Sequence, residues 1–262
     1  MSVLVISCRG LTPINDRPAN WPDPLSDTPA TSFPRRCPRS NYSAMIETSI
    51  KKRIVAVGPR KLEGILRDPE GAGGLVIFAH GAGSSRRSPR NNYVADRLFE
   101  EGFATLLFDL LTETEALDRV NVFDIPLLSE RMIEAVRWAR GDAELSARRI
   151  GLFGASTGAA AALVAAAQAP EDVAAVVSRG GRPDLAGSAL PEVQAPTLLV
   201  VGGADYAVIE LNQQAAGALR CEQRLAIVAC ATHLFEEPGA LDQVVNLAAG
   251  WFKKHLQPTR KG

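Results

Sequence analysis

The chain has 262 residues, of which 46% are hydrophobic and 22% charged, with 29 basic and 29 acidic side chains. That length is enough to bury a substantial core as one α/β domain plus a tail. The balanced charge gives no whole-chain attraction to nucleic acid or to acidic membranes. No stretch approaches the roughly 20 apolar residues of a membrane span. The short apolar run after Met1 has no Lys or Arg before it, unlike a signal peptide, so the expected location is the cytoplasm. Cys8, Cys37, Cys221 and Cys230 form no C-x-x-C pair, and only three histidines are present. Reduced thiols and no metal or other cofactor are therefore expected.

Residues 1–44 carry Pro13, Pro18, Pro22, Pro24, Pro29, Pro34 and Pro38 and show no periodicity, which predicts an irregular, disordered tail. Met45 opens the expected domain, 45–262. A regulatory arm and a misassigned start codon both account for the tail. Strands are expected at 54–57 and 62–66, then a buried strand at Leu75–Ala79 and a helix over about 92–101 ended by Gly102. A second buried strand follows at Ala104–Phe108, and a helix at 125–140 closed by Gly141. Next come a strand at 150–153, an alanine-rich helix at Thr157–Gln168, and strands at 173–177 and 197–201. A helix at about 207–219, a strand at 225–228 and a helix at about 241–255 complete the pattern. Strands alternating with crossover helices predict a mostly parallel sheet covered on both faces. Ligands bind outside the carboxyl ends of such strands.

Gly154-Ala155-Ser156-Thr157-Gly158 fits G-x-S-x-G, and it lies between an apolar strand and a small-residue helix. That context predicts a nucleophile elbow with Ser156 at its tip. The competing reading is a glycine-rich turn in which Ser156 merely caps the helix. A serine nucleophile needs a base. His233 follows the strand at 225–228, at the end of the sheet where Ser156 is expected. His80 reads as a structural part of a loop, and His255 as a solvated helix end beside Lys253 and Lys254. The imidazole in turn needs a carboxylate to fix its tautomer. Asp205 follows the strand at 197–201 and gives the chain order Ser, Asp, His. Asp184 and Asp109 are the alternatives, and either could instead be a loop cap. An oxyanion hole is expected from the backbone N–H of Thr157 and of Ala82, the latter in the loop His80-Gly81-Ala82-Gly83-Ser84.

Together Gly154-Ala155-Ser156-Thr157-Gly158, His80-Gly81-Ala82-Gly83, Gly202-Gly203-Ala204-Asp205-Tyr206 and Ala231-Thr232-His233-Leu234-Phe235 resemble the dienelactone hydrolase-like α/β hydrolases, over roughly 54–256. The resemblance implies an α/β-hydrolase fold without a large cap and a Ser-Asp-His or Cys-Asp-His triad. Dienelactone hydrolases proper use cysteine where this chain has Ser156, which points toward general carboxylic ester hydrolysis through an acyl-enzyme. Lactone hydrolysis and a non-catalytic binding role on the same fold are the alternatives. The short stretch between the strands at 173–177 and 197–201 leaves no room for a cap, so an open cleft for small, fairly polar esters is expected. Arg86 and Arg179 are candidates for binding an anionic group on that substrate, against the simpler reading of solvated or loop-bracing arginines. Monomer and homodimer both remain open.

Overall fold

The computed structural model describes residues 2–6 and 52–257. Three short apolar runs make the middle of the sheet. β4 (Leu75–Ala79), β5 (Ala104–Phe108) and β6 (Ile150–Ala155) are buried at every residue, as parallel strands covered on both faces must be. Around them lie β1 (Ser2–Ile6), β2 (Lys52–Val57), β3 (Leu62–Arg67), β7 (Val173–Arg179), β8 (Thr197–Gly202) and β9 (Gln223–Val228). The sheet order is β1-β9-β8-β7-β6-β4-β5-β3-β2. Only β3 runs against its neighbours, β2 and β5.

Alternation along each strand sorts the core into two layers. Leu75, Ile77 and Ala79 face a cluster built with α3 (Ile125–Gly141), α4 (Thr157–Gln168) and α5 (Tyr206–Ala218). Val76 and Phe78 face the other side, where α1 (Pro89–Glu100) and α6 (Ala240–Leu256) pack. A helical turn, α2 (Glu113–Ala116), and 3₁₀ segments at Asn121–Phe123 and Pro183–Glu192 fill the connections. The sequence pattern does not foresee these, because one or two turns are too short to show a period.

The chain moves outward from β4 to β5 and returns to β6 on the other side of β4. The order therefore reverses between β4 and β6, the point where a crevice opens above an α/β sheet. The loop after β4 and the turn after β6 are those that carry His80-Gly81-Ala82 and Ser156. Among the described residues no helix is long and apolar enough to cross a membrane.

Two expectations are corrected. Residues 2–6 fall in the stretch read as irregular, yet they form a strand that pairs in parallel with β9, Val3 opposite Leu225 and Val5 opposite Ile227. Val3-Leu4-Val5-Ile6 is strand-prone and lies ahead of the first proline. The rest of 1–44, with all its prolines, and the boundary at Met45 lie outside the described residues. The helix expected from about residue 92 begins at Pro89. Proline is suited to a first helical position, and the Ser88 hydroxyl accepts from the Asn91 N–H to cap it.

Candidate active site

Ser156 sits between β6 and α4 with φ 52° and ψ −125°, a region that costs a non-glycine residue of order 1–3 kcal/mol. It occupies the cap position of α4, but its side chain makes no capping bond. The plain helix-cap reading thus fails, and the hydroxyl is left over for another purpose. Surrounding contacts fix the turn: the Arg182 N–H donates to Ser156 O at 3.0 Å, and the Ser156 N–H to Arg179 O at 3.4 Å. The flanking glycines are required by close approach. A Cβ at Gly154 would lie 2.4 Å from Ala159 Cα, and one at Gly158 would lie 2.3 Å from Ala79 O. Steric need at the strand–helix junction, rather than turn flexibility, selects both.

The loop after β4 is held by His80. The Leu110 N–H donates to Nε2 at 3.1 Å, so Nδ1 must carry the proton that it directs to Gly81 O at 3.0 Å. Burial pushes the His80 pKa below its ordinary 6.5, so the ring stays neutral at pH 7 with one tautomer fixed. Gly81 packs directly on the serine, for a Cβ there would lie 2.8 Å from Ser156 Cβ. The Ala82 N–H donates to Thr157 Oγ1 at 3.0 Å. The two expected oxyanion donors are therefore neighbours, with the Ala82 amide resting on the Thr157 hydroxyl. The Thr157 N–H opens α4 and is one of the amides that intrahelical bonding leaves over.

His233 Nδ1 donates to Asp205 Oδ2 at 2.7 Å, across 28 residues of sequence. Asp205 is mostly buried and His233 is partly exposed. Ser156 and His233 line one cavity of about 160 Å³, without a hydrogen bond between their side chains. The competing acids have other partners. Asp184 takes a fork from Arg182 at 2.9 and 2.8 Å, and Asp109 accepts from Arg86. His255 corrects the expectation of a solvated helix end. Its side chain is only 11% exposed and packs on the Trp251 ring at 4.6 Å between centroids.

The arginines divide. Arg86 does not face the cavity. Its guanidinium pairs with Asp109 and Glu63, and its N–H donates to Asp109 Oδ1 at 2.7 Å. It braces the loop, which overturns its assignment as a substrate ligand. Arg179, at the end of β7, does line the cavity. It is 8% exposed, and its one side-chain bond runs from Nη2 to Asn91 Oδ1 at 3.2 Å. Among the described residues Nε and Nη1 have no partner, and no carboxylate pairs with the group. Burial, followed by the charge of Arg90, pushes its pKa down to about 10. Arg90 and Asn91 join the cavity wall. The sequence reading places Arg90 among the arginines near this edge but misses Asn91 as a wall residue. The signal was Ser88-Pro89, a cap followed by a first-position proline, which would have started the helix early enough to turn them inward.

A neutral braced loop after one strand, a strained serine after the next and a His–carboxylate pair from two further strands, all above the reversal in strand order, define an α/β hydrolase. Comparison with known proteins narrows the class. A profile of the dienelactone hydrolase family matches residues 62–250, and the chain belongs to that family. A crystal structure of the dienelactone hydrolase from Anabaena variabilis is 54% identical, with a TM-score of 0.76 over 79% of this chain and 98% of that chain. An esterase of Pyrococcus furiosus shares the fold at 17% identity and a TM-score of 0.63, over 79% of this chain and 92% of that one. Two Mycobacterium tuberculosis proteins, provisionally named phosphoribosyl transferases, are 56% identical over 202 residues. The match covers 77% of this chain and 46% of each of them. The chain thus spans about half the length of these curated relatives.

Proposed function

We propose that the protein is a cytoplasmic serine hydrolase that cleaves small carboxylic esters through an acyl-enzyme on Ser156. The observation that carries this reading is the His233–Asp205 bond at 2.7 Å, with His233 lining the cavity that also holds the strained Ser156. Asp205 keeps the proton on Nδ1, so Nε2 is the basic nitrogen. It takes the Ser156 proton as Oγ attacks the ester carbonyl. The Thr157 N–H and the Ala82 N–H receive the developing oxyanion, Ala82 exchanging Thr157 Oγ1 for the substrate oxygen. Nε2–H then protonates the departing alkoxide. A water repeats the sequence to release the acid and restore Ser156.

Arg179 favours a refinement of this reading. A buried guanidinium with no carboxylate partner among the described residues is costly to the free protein, and an anionic group on the substrate would offset that cost. The same observation supports a second reading, a lactone hydrolase whose substrate carries a carboxylate. The serine in place of cysteine keeps the general ester first. A fold-retaining binding protein would have no use for the His233–Asp205 pair.

The test is hydrolysis of p-nitrophenyl acetate together with labelling by a fluorophosphonate. Wild type should turn over the ester and label at Ser156, and Ser156→Ala should do neither. No turnover and no label on wild type would leave the binding role ahead.

A further inference from the structure

A second cavity, of about 320 Å³, lies across the oxyanion loop from the first. The two share Gly81, Ala82 and Ser84 as a wall, and Gly81 is the residue packed on Ser156. The far side is apolar: Leu110, Leu111, Ala116, Val122 and Leu128. Most of the polar groups that reach it are already partnered, the Glu113 carboxylate and the Ser84 hydroxyl at its rim excepted among the described residues. His80 holds Leu110 and Gly81, Asp109 holds Arg86, and Thr112 holds Glu115. An occupant would meet hydrocarbon and few free hydrogen-bonding groups, and the volume lies at the lower end of small-molecule cavities.

The outer wall is braced. Thr112 and Glu115 form a reciprocal cap on α2. Glu115 Oε1 also accepts from the buried Arg131 at 2.9 Å, and Glu115 O accepts from Asn121 Nδ2 at 2.9 Å. Outside it, Leu117, Val120 and Phe123 are 84%, 71% and 55% exposed, so apolar surface continues from the end of α2 to Asn121–Phe123.

His233 lines the Arg179 cavity and not this one. An alcohol that takes its proton from His233 must leave on the His233 side. The acyl chain is then directed the other way, past Gly81 and Ala82. Resting on the hydrolase reading above, the geometry points to an acyl pocket here: the substrate's acyl group is a medium-length hydrocarbon chain, with α2 and Asn121–Phe123 setting its length. The acyl half is thus apolar, a departure from the small, fairly polar esters expected from the sequence.

Ala116 is exposed at the pocket mouth, so Ala116→Trp blocks it without entering the core, and Val122→Trp fills it from a half-buried position. With p-nitrophenyl octanoate, kcat/KM should fall about tenfold or more in each variant, while the acetate ester changes by less than about twofold. Calorimetric binding of octanoate to Ser156→Ala gives an independent readout, and adding Ala116→Trp should abolish it. An unchanged chain-length profile in both variants, or octanoate binding indifferent to Ala116→Trp, overturns the pocket while leaving the hydrolase in place. Loss of octanoate binding in a protein that hydrolyses neither ester sustains the pocket and overturns the hydrolase.

Discussion

Arg179→Met puts the anion reading to a stability test. The guanidinium is 8% exposed, lacks an acidic partner among the described residues and has its pKa pushed well below its ordinary value, to about 10. Each unit of such a shift is worth about 1.4 kcal/mol, so holding the charge in place costs the free protein about 3 kcal/mol. The sign is fixed by the direction. A base with a depressed folded-state pKa carries its full cost below about pH 10, and the cost is relieved as pH rises from there toward the higher pKa of the unfolded chain. Methionine keeps most of the stem and removes the charge. It also leaves Asn91 Oδ1 without its donor, a loss of about 1 kcal/mol. The net expectation is a gain of about 2 kcal/mol at pH 7, or a rise in Tm of about 4–8 °C for a domain of this size. The gain should come with a loss: kcat/KM for an ester bearing a carboxylate falls about 10–100-fold, while a neutral ester changes little. Thermal unfolding by circular dichroism and paired ester assays read both. A variant less stable than wild type, or equal losses on both esters, would refute the claim that Arg179 is an uncompensated charge awaiting an anion.

The remaining expectations concern the triad and the elbow. Asp205→Asn should lower kcat about 10⁴-fold by releasing the His233 tautomer. Asp184→Asn, which only frees Arg182, should change kcat less than about threefold. Steady-state kinetics on p-nitrophenyl acetate compares the two, and a larger loss at Asp184 would reverse the assignment. Gly158→Ala should be destabilised by more than about 3 kcal/mol, because its Cβ would collide with Ala79 O and His80 O; urea unfolding measures it. Stability should fall as pH drops below 6.5. There the unfolded chain protonates His80, while the buried ring with its lowered pKa resists. His80→Gln should flatten the slope of Tm against pH in that range.

Much of the fold was legible because burial on both faces leaves a simple mark. Leu75–Ala79 and Ala104–Phe108 read as apolar runs and are strands with those bounds. The elbow was legible for a related reason: Gly154 and Gly158 record contacts so close that no other residue fits. Asp205 and His233 could be placed only at strand ends, and their 2.7 Å bond depends on how two strands lie side by side. The arginines mark where local reading stops. Arg86 and Arg179 look alike as charges near the same edge of the sheet. One faces Asp109 and Glu63, and the other, among the described residues, faces Asn91 alone. Which of two similar side chains meets a carboxylate is decided by neighbours 23 or more residues away in the chain.

The same distinction says why the site can be costly without threatening the fold. Ser156 holds a backbone conformation that costs of order 1–3 kcal/mol, and Arg179 adds a desolvated charge a few residues from the elbow's closing bond, Arg182 N–H to Ser156 O. Ser156 directly follows β6, which is buried throughout, and Arg179 ends β7, which is buried at every residue but Ala174. A rigid parallel core can hold a strained serine in place, whereas a loop of similar sequence would relax it. Ser156→Gly separates the two contributions. It should stabilise the protein by about 1 kcal/mol or more through relief of the positive φ, and its effect should add to that of Arg179→Met within about 0.5 kcal/mol if strain and desolvation are independent. A double variant well short of that sum would mean the serine turn and the arginine are coupled through the Ser156 N–H bond to Arg179 O.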